Sequence, residues 1–133
     1  MSVGDVNDDG AAEAIFREDV SSSADELAYH DFSAGSTTKT GENGGYDTTY
    51  GDVNGDGDVE IVFANSANSY SINIYEVGSG TATSSGVQGD QITTIDVDDD
   101  GTEEIVYNAA DDTGGKIHDE VDGTTTDIGI GKI

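Results

Sequence analysis

Three near-copies of one acidic loop constrain this 133-residue chain more than any other feature: DVNDDGAAE at Asp5–Glu13, DVNGDGDVE at Asp52–Glu60 and DVDDDGTEE at Asp96–Glu104. Each copy puts oxygen-bearing side chains at loop positions 1, 3, 5 and 9, with glycine at position 6. A short backbone wraps a hard cation such as Ca²⁺ in this way. The copies recur about every 45 residues, so the chain reads as one repeat domain of three similar units. Their approximate bounds are 1–45, 46–90 and 91–133.

Each loop runs into a short apolar stretch: EAIF at 13–16, EIVF at 60–63 and EEIVY at 103–107. β-Branched and aromatic residues mark these as strands. Their near-continuous apolar character predicts burial on both faces, as inside a packed sheet. Polar turns follow, then second strands over 26–32, 70–77 and 115–121. Alternation in the middle one puts Ile72 and Ile74 on one face. Weaker third strands are expected near 36–40, 80–85 and 123–128. Fourth strands over 46–53 and 91–97 lead into the next loop. No segment keeps a helical period. The expected fold is all-β, with three four-stranded antiparallel units of the kind that form β-propeller blades.

The loop chemistry follows from residue types. In the second loop Asp52, Asn54 and Asp56 point inward, Gly57 permits the sharp turn, Asp58 offers its backbone carbonyl and Glu60 closes the site. The same roles fall to Asp5, Asn7, Asp9, Ala11 and Glu13, and to Asp96, Asp98, Asp100, Thr102 and Glu104. An oxygen-only donor set selects Ca²⁺ over zinc or copper, and Mg²⁺ resists the dehydration required. One Ca²⁺ per unit, three per chain, is the expectation. An EF-hand needs a carboxylate at loop position 12. Phe16, Phe63 and Tyr107 stand there instead, which excludes that motif.

Charge narrows the function classes. Twenty-nine acidic residues face four basic ones, a net charge of −25. Nucleic acid and anionic membranes repel such a surface. No apolar run approaches the ~20 residues of a spanning helix, so membrane insertion is not expected. No cysteine is present, so disulfides and thiolate metal sites are excluded. Three bound Ca²⁺ would still leave about −19, so metal binding does not account for the whole excess. The β-rich patterning argues for a folded protein adapted to concentrated salt, where close screening removes self-repulsion. An extracellular or cell-surface location in a high-salt organism follows as the expected setting.

The segments GDVNDDGAAEAIF, YGDVNGDGDVEIVFAN and TIDVDDDGTEEIVYNA resemble the FG-GAP and VCBS repeats, the calcium-loop blades of integrin-α-like propellers and many secreted microbial proteins. The resemblance covers essentially the whole chain. It implies Ca²⁺ at the propeller rim, held at the fifteen loop positions named above. It also implies adhesion, ligand binding or scaffolding without catalysis, with a glycan or a protein as the ligand class. The chain departs from the family by lacking clear Phe-Gly and Gly-Ala-Pro signatures. It also carries glutamate where aspartate is usual at position 9.

Other functions are weaker on this sequence. His30 and His118 occupy equivalent second-strand positions, where surface or structural roles are expected. No nucleophile motif such as G-x-S-x-G occurs. Six tyrosines read as packing between units. Calcium-loop propellers also form the body of some polysaccharide lyases, an alternative that only Arg17, Lys39, Lys116 and Lys132 could serve with positive charge. A half-propeller designed or reconstructed to test repeat assembly is the third reading.

A propeller closes with roughly four to eight blades, and three fall short. Residues 1–4 offer only the tail of a strand before the first loop. The first unit is therefore expected to be completed by the C-terminus or by another chain. Membership of a larger ring, two-fold pairing of chains or an open head-to-tail assembly would each remedy the shortfall, and a homo-oligomer, specifically a dimer forming a six-bladed ring, is the expected partner arrangement.

Overall fold

The computed structural model describes residues 1–19 and 25–129. It is all-β among these residues, apart from one 3₁₀ turn at Ser66–Asn68. Eleven strands follow in order: β1 (Ser2–Gly4), β2 (Glu13–Asp19), β3 (Asp25–Asp31), β4 (Ser36–Asn43), β5 (Thr48–Gly51), β6 (Glu60–Asn65), β7 (Ser71–Glu76), β8 (Thr81–Ile95), β9 (Glu104–Ala109), β10 (Gly115–Asp119) and β11 (Thr124–Asp127). They form two antiparallel sheets. One has the order β1-β2-β3-β4 and the other β11-β10-β9-β8-β7-β6-β5.

The seven-stranded sheet contains two of the expected units joined through one strand. The first part of β8 pairs with β7, from Glu76↔Thr81 to Ser71↔Gln88. Its second part pairs with β9, from Gly89↔Ala109 to Ile95↔Glu104. The separate third and fourth strands expected over 80–85 and 91–97 are thus one fifteen-residue strand. The Gly86–Gln91 stretch passes from one partner to the other through two register irregularities, one against β7 between Ser71 and Asn73 and one against β9 between Asp90 and Thr93. Gly86 and Gln91 absorb the change at φ 81° and 50°. Gly89 lies so close to β9 that a Cβ there would stand 2.1 Å from the Asn108 carbonyl oxygen.

The first unit supplies its own leading strand. Ser2, Val3 and Gly4 pair with Ile15, Ala14 and Glu13. This is the strand tail expected at residues 1–4, three residues long. The turn expected over 18–25 falls largely outside the described residues.

The core lies between units, not inside them. Val6, Ile15 and Leu27 of the first unit pack against Ile61, Phe63 and Tyr75 of the second. Val53, Val62, Ile72 and Ile74 of the second pack against Ile92, Ile105, Tyr107 and Ala109 of the third. Successive side chains of a strand point to opposite faces, so β6 sends Ile61 and Phe63 one way and Val62 the other. All three are fully buried, as expected for a strand covered on both sides. The outer units differ. Ala14 and Phe16 of β2 and Val106 of β9 are only half-buried, because nothing among the described residues covers that face.

Polar contacts fix the units side by side along their leading strands. Ser2 Oγ lies 2.9 Å from Thr48 Oγ1, and Thr49 Oγ1 lies 3.1 Å from Thr94 Oγ1. Thr94 Oγ1 donates to the Tyr50 carbonyl at 2.6 Å, and the Gln91 N–H donates to Asp47 Oδ2 at 2.7 Å. The Tyr50 ring fills the space over Gly4, where a Cβ would come within 2.3 Å of it.

Candidate metal centre

Each acidic loop connects the first and second strands of its unit. The register sets its width: Gly4 pairs with Glu13, Gly51 with Glu60 and Ile95 with Glu104. The position-9 glutamate therefore begins the second strand, directly across from the residue preceding the loop. Two backbone positions in each loop take left-handed values. Position 4 holds Asp8, Gly55 and Asp99 at φ 57°, 76° and 65°. Position 6 holds Gly10, Gly57 and Gly101 at φ 86°, 95° and 98°. Asp and Gly tolerate this region far better than other residues, which explains both positions.

The loops coil around their own side chains. The position-1 carboxylates accept the position-6 N–H, Asp5 from Gly10, Asp52 from Gly57 and Asp96 from Gly101, all at 3.0 Å. The position-3 side chains accept from position 5: Asn7 from Asp9 at 3.0 Å, Asn54 from Asp56 at 2.9 Å and Asp98 from Asp100 at 3.2 Å. Position 5 accepts from position 7: Asp9 from Ala11 at 2.8 Å, Asp56 from Asp58 at 2.9 Å and Asp100 from Thr102 at 2.9 Å. Ala11, Asp58 and Thr102, expected as carbonyl ligands, thus have their N–H groups committed to the turn.

The closing glutamates are the buried element. Glu13, Glu60 and Glu104 are 0%, 1% and 3% exposed. One oxygen of each accepts the N–H of position 2, from Val6 at 3.0 Å, Val53 at 3.1 Å and Val97 at 2.8 Å. Burial pushes the Glu60 carboxyl up to about 7, with Asp56, Glu76 and Asp52 adding to the rise and the Val53 N–H opposing it. Burial likewise raises Glu104, reinforced by Asp98, Asp100 and Asp119 and opposed by the Val97 N–H. Asp100 lies below its ordinary value, because the Thr102 N–H and hydroxyl both donate to it.

Carboxylates converge at each loop. Oxygens of Asp52, Asp56 and Glu60 lie within 4.8 Å of one another, as do those of Asp96, Asp98 and Glu104. At the first loop the converging set is Asp9, Glu13 and Asp31. Asp31 ends β3, the strand that pairs with the one Glu13 begins, and sequence reasoning assigned it no role. The corresponding acids are Glu76 at the end of β7 and Asp119 at the end of β10. Asn7 Nδ2 donates to Asp31 at 3.3 Å, and Asn54 Nδ2 donates to Glu76 at 2.6 Å. An acid ending each of β3, β7 and β10 was the available signal, but only strand pairing reveals what it faces.

A cation fits this donor set. Asp5 Oδ1 and Glu13 Oε1 are buried without a hydrogen-bond partner. Leaving such oxygens unpaired is costly, and a bound cation would supply the missing partner. All the side-chain donors are oxygens, as a hard divalent ion requires.

Elsewhere, the histidines act as structural bridges. His30 Nδ1 lies 2.8 Å from Thr37 Oγ1, and His118 Nδ1 lies 2.9 Å from Thr125 Oγ1. His118 Nε2 also lies 3.1 Å from Glu120. Tyr75 and Tyr107 are buried between units, in line with a packing role, whereas Tyr46 is 60% exposed. No helix among the described residues is long and apolar enough to cross a membrane. No protein-family model matches the chain, and neither curated proteins nor solved structures give a match.

Proposed function

We propose that the chain is a calcium-stabilised repeat module of the β-propeller type, in which each acidic loop holds one Ca²⁺. The buried, partnerless oxygens of Asp5 and Glu13 carry this reading. Glu60 and Glu104 occupy the same position in the other loops. Ca²⁺ would be held by the carboxylates of positions 1, 5 and 9, with the position-3 side chain and the position-7 carbonyl completing the set. The ion neutralises clustered charge and ties the loop to both strands it connects. Binding only the folded state stabilises it by mass action.

The role is non-enzymatic: a scaffold or adhesion module outside the cell, in concentrated salt, presenting a surface to a glycan or protein. The basic residues support this reading over a lyase. Arg17 pairs with Asp25 at 2.9 Å, Lys39 with Glu18 at 3.0 Å and Lys116 with Asp127. Each basic side chain among the described residues is thus already matched to a carboxylate. A sugar carboxylate would compete for them.

Thermal unfolding with calcium, magnesium or chelator tests the proposal. Calcium raises the midpoint in a concentration-dependent way and magnesium does so far less. Equal midpoints in calcium and chelator would overturn it.

A further inference from the structure

The outer faces of the first and third units carry the residue positions that form the two interfaces between units. Units one and two present the same kind of surface to the unit that follows. It comprises Val6, Ile15 and Leu27 in the first, and Val53, Val62, Ile72 and Ile74 in the second. Strand register places Val97, Val106 and Ile117 at the matching positions of the third unit. Val106 pairs with Ile117 as Val62 pairs with Ile74. Val6 and Val53 are 3% and 1% exposed, whereas Val97 is 48% exposed. The hollow beside it is lined by Val97, Ile117, Glu104 and Asp119.

The opposite end has the reciprocal surface. Units two and three turn Ile61 and Phe63, or Ile105 and Tyr107, toward the unit that precedes them. The matching residues of the first unit are Ala14 and Phe16, both half-buried. Phe32, one residue beyond β3 as Val77 is one beyond β7, is 65% exposed and rests edge-on against His30 at 4.8 Å. Val77 packs against the core between the first two units.

We propose that the occupant of these faces is a second copy of this chain, its first unit seated on the third unit of the partner and its third unit on the partner's first. Two copies give six units, inside the range of four to eight that closes such a ring, whereas one copy gives three. The two-fold arrangement covers both apolar faces at once and leaves no sheet face open. The proposal rests on the repeat-module reading above, but it uses the apolar faces and not the loops. The charge of −25 on each copy opposes association, so pairing strengthens with salt and with calcium.

Light scattering and sedimentation in about 2 M KCl with millimolar calcium test the arrangement under strong screening. The expected mass is twice the chain's 13.7 kDa. Phe32→Asp and Val106→Asp, on opposite ends, should each weaken pairing at least tenfold. Phe32 is exposed, so its variant is expected to fold, which circular dichroism checks. A folded monomer at every concentration, or a species that grows beyond two copies, would overturn the arrangement. So would a dimer indifferent to Phe32→Asp, since the third units would then pair with each other. Calorimetric calcium titration of the same samples separates the two proposals: a monomer that still binds calcium sinks only the pairing.

Discussion

The Glu60 carboxylate accepts the Val53 N–H at 3.1 Å across the mouth of the second loop, and 1% of the Glu60 residue is exposed. A single buried group thus closes the loop and faces the neighbouring acids Asp52, Asp56 and Glu76. Its charge is unfavourable alone and favourable beside a cation. Glu60→Gln keeps an acceptor for Val53 and removes the charge. In chelator at neutral pH the variant should match or exceed the parent in stability. In saturating calcium it should fall below the parent, losing up to ~2.7 kcal/mol if the site is normally filled at a hundred times its dissociation constant. Denaturant melts of both proteins in both buffers check this crossover.

The same group sets the pH response of the calcium-free protein. Glu60 is raised from its ordinary 4.5 to about 7. Between those values the folded chain holds a proton that the unfolded chain has released. Stability in chelator is therefore greatest below about pH 4.5 for this group and falls as pH rises toward 7. Calcium should reverse the slope, because it binds the deprotonated carboxylate. Unfolding midpoints at a series of pH values, with and without calcium, measure both trends.

The middle unit should be more sensitive to truncation than the outer ones. Phe63 is fully buried between units, whereas Phe16, at the same repeat position, is half-buried. Phe63→Ala should cost ~3–5 kcal/mol, as a large buried aromatic does. Phe16→Ala in the isolated chain should cost less than half of that. Equal losses measured in dilute solution would contradict the placement of the uncovered face.

Gly89 tests the continuity of β8. A Cβ at this position meets the Asn108 carbonyl oxygen at 2.1 Å and the Tyr107 ring at 2.5 Å. Backbone cannot move aside as a flexible side chain can. Gly89→Ala should destabilise by ~1–3 kcal/mol through overpacking. Gly57→Ala meets no atom within 4 Å and suffers only from its φ of 95°. Its loss should appear chiefly as weakened calcium response.

Local pattern made much of the molecule legible. The D-x-[DN]-x-D-G-x-x-E spacing located the loops, and the apolar run EIVF announced a strand buried on both sides. EAIF and EEIVY carry a similar run, yet their strands are covered on one face only. Nothing within a repeat records whether another unit lies beyond it. The continuity of β8 was hidden because Gly86 and Gly89 look like turn punctuation. Asp31 was hidden because its approach to Asp9 and Glu13 depends on the β2–β3 register, in which Asp31 pairs with Glu13.

The number of calcium ions bound per folded chain is the most direct test. Equilibrium dialysis in high salt, read by elemental analysis, should give three, falling to two when Glu60→Gln is introduced. A parent chain that remains folded and carries none at millimolar calcium would contradict the account.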